Sequence, residues 1–347
     1  MKYHYLLLMA CAAGALVSCS NDNDDKIVKT DDAITFAASV PKPTTGRAVT
    51  TVETLTSFKT YGFVDKQIYM DGVDVNRNGT RWEYAPVQYW PAGKSVNFYS
   101  YSPKEINSGA AEGNITSDNP DIPDFINDGK TDLLYAVNMN QNESTGQVKV
   151  NFRHALSQVR FMVKKNTAQP VNVKVYSLEV INANTVGSFR FPRQTTAQGT
   201  DVYGTWHDMK SPAVGEIYLS EEGMDLTAEA QEMLSTGYMF VVPQTLTELT
   251  GTDTSKATIA RLRCTITDSG AAGHVVWPSS TSEPGYDASN TSAYIYFPLY
   301  TQNNSEWISG KSYRYQLTVG VPSTAGAIDF DVTVDDYVDF SDVPEQQ

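Results

Sequence analysis

The chain of 347 residues contains almost no cysteine, with Cys11, Cys19 and Cys264 as the full set. Cys11 lies in an apolar leader and Cys19 at its end, so the body keeps one thiol and cannot close a disulfide on itself. Cys264 falls in Arg261-Leu262-Arg263-Cys264-Thr265-Ile266, which alternates like a strand, and a buried inert thiol is expected there. Histidine is as scarce: beyond His4 there are His154, His207 and His274. No His-Glu-x-x-His, Gly-x-Ser-x-Gly or phosphate-cradling glycine loop accompanies them, so we expect no enzyme, no cofactor and no metal. Positive charge is also short. Lys+Arg number 26 against 40 Asp+Glu, a net charge of −14, which suits neither a phosphate backbone nor anionic lipid and excludes nucleic acid as a partner.

What is present favours strands. Apolar residues make up 41% of the chain and aromatics 11%, led by 20 tyrosines. Richness in Tyr, Val and Thr, with few periodic leucine runs, points to an all-β fold, and the length suggests about two domains.

The stretch from Cys19 to Arg47 organises the N-terminal end. Lys2 and an apolar run of 12 residues, Leu6 to Val17, have the form of a signal peptide, too short to span a bilayer as a helix. Leu16-Val17-Ser18-Cys19 closes it as a lipobox, the site where bacterial lipoprotein precursors are acylated and cut; an ordinary signal peptide with an incidental cysteine would look similar. Acyl chains at Cys19 would anchor the chain durably in a membrane. Asp22, Asp24 and Asp25 follow, either a surface-export tract or a solvated linker. Ile34, Phe36, Ala38 and Val40 then alternate with Thr35, Ala37 and Ser39 as one strand. Arg47, the first arginine, stands before Ala48 in Pro41-Lys42-Pro43-Thr44-Thr45-Gly46, a stretch where proteolysis would concentrate. We read the segment as an anchor, a removable strand and a release point. Its acids (Asp22, Asp24, Asp25, Asp31, Asp32) and bases (Lys2, Lys26, Lys29, Lys42, Arg47) balance, so its loss leaves the net charge unchanged.

Past Arg47, short strands alternate with turns. Thr56 to Val64 is strand-like. Asp74-Val75-Asn76-Arg77-Asn78-Gly79 matches half of a calcium loop, but Ala85 stands where a bidentate glutamate is needed, and Asn-Gly between strands marks a hairpin. Trp82 and Trp90 are expected to pack in a core. His154 interrupts an alternating strand, which a bulge with a hydrogen-bonded histidine would explain. Asn166-Thr167-Ala168-Gln169-Pro170 is the expected domain boundary. Strands are expected over 171–181, 188–191, 217–219, 238–242, 258–266, 274–277 and 294–298, with one short helix over 226–234. Tyr313, Tyr315, Leu317, Val319 and Val321 form a penultimate strand. Ile328, Phe330, Val332 and Val334 form a last one, its other face acidic, as suits an edge or exchangeable strand. The acidic cluster from Asp329 to Asp342 reads as a solvated face or a calcium site.

A series of motifs runs through the chain. It comprises Arg81-Trp82-Glu83-Tyr84, Tyr89-Trp90-Pro91-Ala92-Gly93-Lys94, Asp132-Leu133-Leu134-Tyr135-Ala136, Phe152-Arg153-His154-Ala155-Leu156-Ser157, Gly237-Tyr238-Met239-Phe240-Val241-Val242-Pro243 and Trp307-Ile308-Ser309-Gly310-Lys311-Ser312-Tyr313. In this order they resemble the fimbrillin family of Bacteroides-type bacteria, over nearly the whole chain. The resemblance implies two transthyretin-like β-sandwich domains in tandem, arginine-specific proteolysis outside the cell, and polymerisation by strand exchange. It also implies that the donor strand is a neighbour's C-terminal region, here Ile328, Phe330, Val332 and Val334. The expected division is a signal peptide at 1–18, a lipidated propeptide at 19–47, and sandwich domains at 48–168 and 169–347. The expected role is a fimbrial subunit serving adhesion, on the outer membrane through its lipid and then in the fimbrium. Its partners would be other fimbrial subunits and an arginine-specific protease. A tip or anchor subunit is the variant of that reading, and a surface glycan-binding lipoprotein using tyrosines and Trp206, Trp277 or Trp307 is the alternative.

Overall fold

The computed structural model describes residues 27–40, 54–108, 115–197, 199–234 and 237–322, together with the backbone of 330–336. Among them there is no α-helix and one 3-10 turn, Glu143–Thr145; the remainder is strand and connection.

A six-stranded sheet forms the centre of the first half. Its order is Arg153–His154, Leu134–Gln141, Val96–Ser102, Ser57–Val64, Gln67–Asn78 and Arg81–Glu83. Val96 and Phe98 enter one core with Phe58, Leu134 and Ala136, whereas Tyr99 and Tyr101 enter another with Tyr61, Tyr135 and Val137. The sheet is therefore covered on both faces, which accounts for the unbroken apolar run Leu133-Leu134-Tyr135-Ala136-Val137. The half-loop at Asp74 is strand and turn: Asn78 pairs with Arg81, and Gly79 takes φ +61° in the two-residue connection. Asp74 spends its charge on Lys59, 3.0 Å away, and on Lys104 at 3.5 Å.

A second pair of sheets makes a sandwich. Ser157–Lys165 runs parallel to Lys311–Val319, with Phe330–Asp336 on the outer edge of the latter. Facing it is the sheet of Thr205–Asp225, Val171–Arg190, Ile259–Asp268 and Val275–Trp277, with Ala293–Pro298 also on Ile259–Asp268. Val159, Phe161, Tyr315 and Leu317 meet Val173, Val175, Leu262 and Cys264 between them. Cys264 is fully buried, and that burial drives its thiol pKa far up.

Several expectations are revised. The strands expected over 171–181 and 188–191 are one strand of 20 residues, Val171–Arg190, paired with a return strand of 21, Thr205–Asp225. Register irregularities near Val175, Leu178, Val180 and Val186 let it continue through the break in the alternation. Its first part ladders with Ile259–Asp268 and its last part with Asp121–Ile126, so it enters both halves. The Asn166–Pro170 turn joins Ser157–Lys165 to this strand, and both of its flanks pair with strands of the C-terminal half. The helix expected over 226–234 is absent. Its backbone bonds to neighbouring strands instead, Leu226 N–H to Val173 O at 2.8 Å and Met233 N–H to Phe161 O at 3.0 Å. Ladder bonds to Val171–Arg190 and Ser157–Lys165 outcompete a helix of about two and a half turns, which is marginal by itself.

Phe152 to Ser157 is where the chain changes sheet: Arg153–His154 pairs with the first sheet and Ser157–Lys165 with the second. His154 holds the crossing through Nδ1 to Asp132 Oδ2 at 2.8 Å, with both side chains 2% exposed.

Near the end of the second core, the Tyr315 hydroxyl accepts from Trp307 Nε1 at 2.8 Å and from Asn304 Nδ2 at 2.9 Å. Burial pushes its pKa well above the usual phenol range. Tyr315→Phe would strand the buried Trp307 N–H and leave Asn304 Nδ2 with only Leu299 O at 3.4 Å, and we expect a loss of about 1–3 kcal/mol in urea unfolding. An unchanged midpoint would show that the network contributes nothing.

Candidate functional site: the N-terminal arm and its groove

Residues 27–40 form an arm laid across the first core. Lys29–Ala33 pairs antiparallel with Tyr89–Pro91, Lys29 opposite Pro91 and Ala33 opposite Tyr89. Ala92 N–H donates to Val28 O at 2.7 Å, Ile34 N–H to Gln88 O at 2.9 Å, and the Tyr84 hydroxyl to Ile34 O at 2.8 Å. Burial raises the Tyr84 pKa, only partly offset by its bond to Gln88. Lys29 Nζ reaches Gln88 Oε1 at 2.8 Å and lies 5.4 Å from the centre of the Tyr69 ring.

The arm then crosses to another partner. Phe36–Ser39 runs parallel to Val148–Asn151, with Phe36 opposite Val148, Ala37 opposite Lys149, Ala38 opposite Val150 and Ser39 opposite Asn151. Val148 N–H donates to Thr35 O at 2.8 Å, Phe152 N–H to Ser39 O at 2.9 Å, and Gln147 Nε2 to Phe36 O at 2.9 Å. The Ser39 hydroxyl donates to Asn151 Oδ1 at 2.8 Å. The alternation read from the sequence is the alternation in space: Ile34 is 1% exposed, Phe36 1%, Ala38 8% and Val40 3%, while Thr35 is exposed and Ala37 and Ser39 half-buried.

These side chains are core, not covering. The Phe36 ring meets Phe58 at 5.9 Å, Phe98 at 5.5 Å and Tyr84 at 5.6 Å, all edge to face. Phe58 in turn meets Phe152 at 5.4 Å and Trp82 at 5.2 Å. Burying Ile34, Phe36 and Val40 contributes about 1.5–3 kcal/mol each, a sum comparable with the whole net stability of a typical domain. An emptied groove would expose that floor and a strand edge, which is a template for another strand.

The remaining expected positions divide. Cys19, Arg47, Ala48 and Ile328 lie outside the described residues; Phe330, Val332 and Val334 are placed on a strand by backbone alone. That strand is antiparallel to Lys311–Val319, with Leu317 opposite Phe330, Tyr315 opposite Val332 and Tyr313 opposite Val334. The strand Lys29–Ala33 has no counterpart in the sequence reading. Its side chains are mostly exposed and include Asp31 and Asp32, so it is held through its backbone and shows no apolar period. Of the tryptophans named for a glycan platform, Trp277 is 9% and Trp307 1% exposed, and half-buried Trp206 packs at a tilt against Phe125 and Phe189 while donating to Ala155 O at 2.7 Å. Among the described residues no cluster of three or more His, Cys, Asp or Glu could hold a metal, and no helix is long and apolar enough to cross a membrane.

Phe36→Ala, with the arm retained, is expected to cost about 3–5 kcal/mol in denaturant unfolding. A cost below about 1 kcal/mol would mean that the arm is not part of the core.

No curated protein matches the chain by sequence. Among solved structures, a fimbrial protein from Bacteroides vulgatus superposes with a TM-score of 0.55 at 14% identity, over 88% of this chain and 99% of that one. A fimbrilin from Porphyromonas gingivalis superposes with a TM-score of 0.48 at 9% identity, over 90% and 99% of the two chains. The first likeness shows a shared fold. A sequence model described as fimbrillin-like matches residues 47–336. With a match over most of its length, the chain belongs to the fimbrillin-like family.

Proposed function

We propose that this protein is a structural subunit of a surface fimbrium, exported as an outer membrane lipoprotein acylated on Cys19. Cleavage between Arg47 and Ala48 frees the arm, and subunits then polymerise by strand exchange in support of cell adhesion. The C-terminal region around Phe330, Val332 and Val334 of a neighbour enters the vacated groove. The protein acts by assembly and has no chemistry of its own to perform.

The observation that carries this reading is the seat of the arm. It supplies core side chains yet pairs in parallel with a strand more than a hundred positions later, so no hairpin ties it to its partner. It is therefore separable from the body at a single point, the stretch containing Arg47. The family match begins at residue 47, after the arm. The closing strand, Phe330–Asp336, sits on the edge of its sheet, where a strand is most easily exchanged. A shaft subunit needs both a releasable arm and a usable donor, whereas a tip or anchor subunit would keep the lipid or lack a usable donor strand.

Three variants test the scheme. Cys19→Ala should abolish labelling of the precursor by a fatty-acid analogue. Arg47→Ala should block arginine-specific processing and, with it, the ladder of oligomers seen on mildly denaturing gels. Deletion of residues 329–347 should permit processing and stop polymer growth. A wild-type ladder from Arg47→Ala would remove cleavage at this site as the trigger. Continued growth of the truncated protein would place the donor elsewhere.

A further inference from the structure

The sequence contains a second copy of the arm's pattern. Ile34-Thr35-Phe36-Ala37-Ala38-Ser39-Val40 is matched by Ile328-Asp329-Phe330-Asp331-Val332-Thr333-Val334, position for position on the apolar face. We propose that the groove is specified for this chain's own closing strand, taken from a second copy, in one register and one direction: parallel to Val148–Asn151, with Phe330 in the seat of Phe36. This rests on the strand-exchange reading above and adds to it the partner, the orientation and the residues that select them.

The seats are unequal, and that inequality fixes the register. One seat takes a phenyl ring among Phe58, Phe98 and Tyr84, and the seat two positions on takes only the methyl of Ala38. With Ile328 in the Ile34 seat, each large side chain meets a large seat, and the one mismatch is Val332 for Ala38, the least covered of the four at 8% exposure. Reversing the strand places Phe330 on the Ala38 seat and leaves Val332 in the ring's place, overpacking one site and emptying another. Sliding by two positions one way again puts Phe330 on the Ala38 seat. Sliding the other way brings Asp336 to the buried Val40 seat, a carboxylate with no partner there.

The outward face gives independent support. Lys149, opposite Ala37, is exposed and has no ion-pair partner among the described residues. In the proposed register Asp331 stands opposite it, and an opposite-charge pair across strands is favourable. Thr333 replaces Ser39 opposite Asn151 and brings a hydroxyl to the acceptor that Ser39 now serves. An arbitrary strand with an alternating apolar face would match neither position, so the groove favours a homotypic partner.

Cysteine pairs in the full chain test register and direction together. Ser39→Cys with Asn151→Cys should close an intrachain disulfide in the unprocessed protein, which shows that this pair of positions can be bridged. After arginine-specific cleavage, Asn151→Cys with Thr333→Cys should give disulfide-linked oligomers. Asn151→Cys with Asp329→Cys reports a reversed strand and Asn151→Cys with Asp331→Cys a slide by two; both should stay unlinked. Lys149→Glu should slow polymer growth by about two- to fivefold, with Asp331→Lys in the same chain restoring it. If the ladder forms but the linkage appears in either control pair, or in none, the register is overturned while strand exchange stands. Linkage of Asn151→Cys with Thr333→Cys inside a monomer would overturn the second copy as partner. If no ladder forms from any processed variant, strand exchange itself fails and the register with it.

Discussion

The first half of the molecule depends on one aromatic ring supplied from outside its own sheet. Phe36 completes the edge-to-face set of Phe58, Phe98 and Tyr84, and through Phe58 it touches Phe152 and Trp82. Interiors are packed to crystal-like density, so a missing ring is not closed over by neighbours. The sheet thus carries a vacancy that only an added strand can fill, and the arm fills it with backbone bonds along Val148–Asn151 and an apolar side chain at every second residue. Stability and assembly are then governed by the same contacts. In the proposed scheme, what stabilises the chain with its arm in place is what a processed subunit would have to obtain again from elsewhere.

The opposite face of that sheet is closed differently. Tyr135 and Tyr99 meet Phe189 and Phe191, and Tyr135 and Phe189 have ring centres 4.6 Å apart. Gly204 makes room for this contact, since a Cβ there would fall 2.2 Å from the Phe189 ring. A single sheet thus has one face closed by the arm, exchangeable in the proposed scheme, and one permanent face. The permanent one is made by the far end of the strand Val171–Arg190, whose near end belongs to the other core.

Much of this was legible in the sequence where side chains alternate against one face. Ile34 to Val40, Ile259–Asp268 and Lys311–Val319 declare themselves because their burial has a period of two. The Asn78-Gly79 turn declares itself through its backbone demand. What remained hidden lacks that signature. Lys29–Ala33 is held by main-chain bonds while Asp31 and Asp32 face water. Val171–Arg190 changes neighbours midway, so its pattern shifts phase at each bulge and reads as two short strands. The helix expected at 226–234 failed because local propensity cannot anticipate the ladder bonds that this segment finds with Val171–Arg190 and Ser157–Lys165. The sheet change at His154 showed only as a broken alternation, and its partner Asp132 is distant in the sequence.

The strand shared by the two cores also determines how the body answers a pull. In the proposed filament, tension would load each subunit between the groove that receives a strand and the edge that lends one. The groove opens on the core of Phe58 and Phe98 and the edge on the core of Phe161 and Tyr315; Val171–Arg190 enters the latter and, through Phe189, the core on the far face of the groove's sheet. The load therefore has a covalent path through continuous strand in addition to the contact between apolar surfaces. Pulling the halves apart would have to unpack Phe189 and Phe191 from Tyr99 and Tyr135, so in that scheme compliance would fall first on the junctions between subunits.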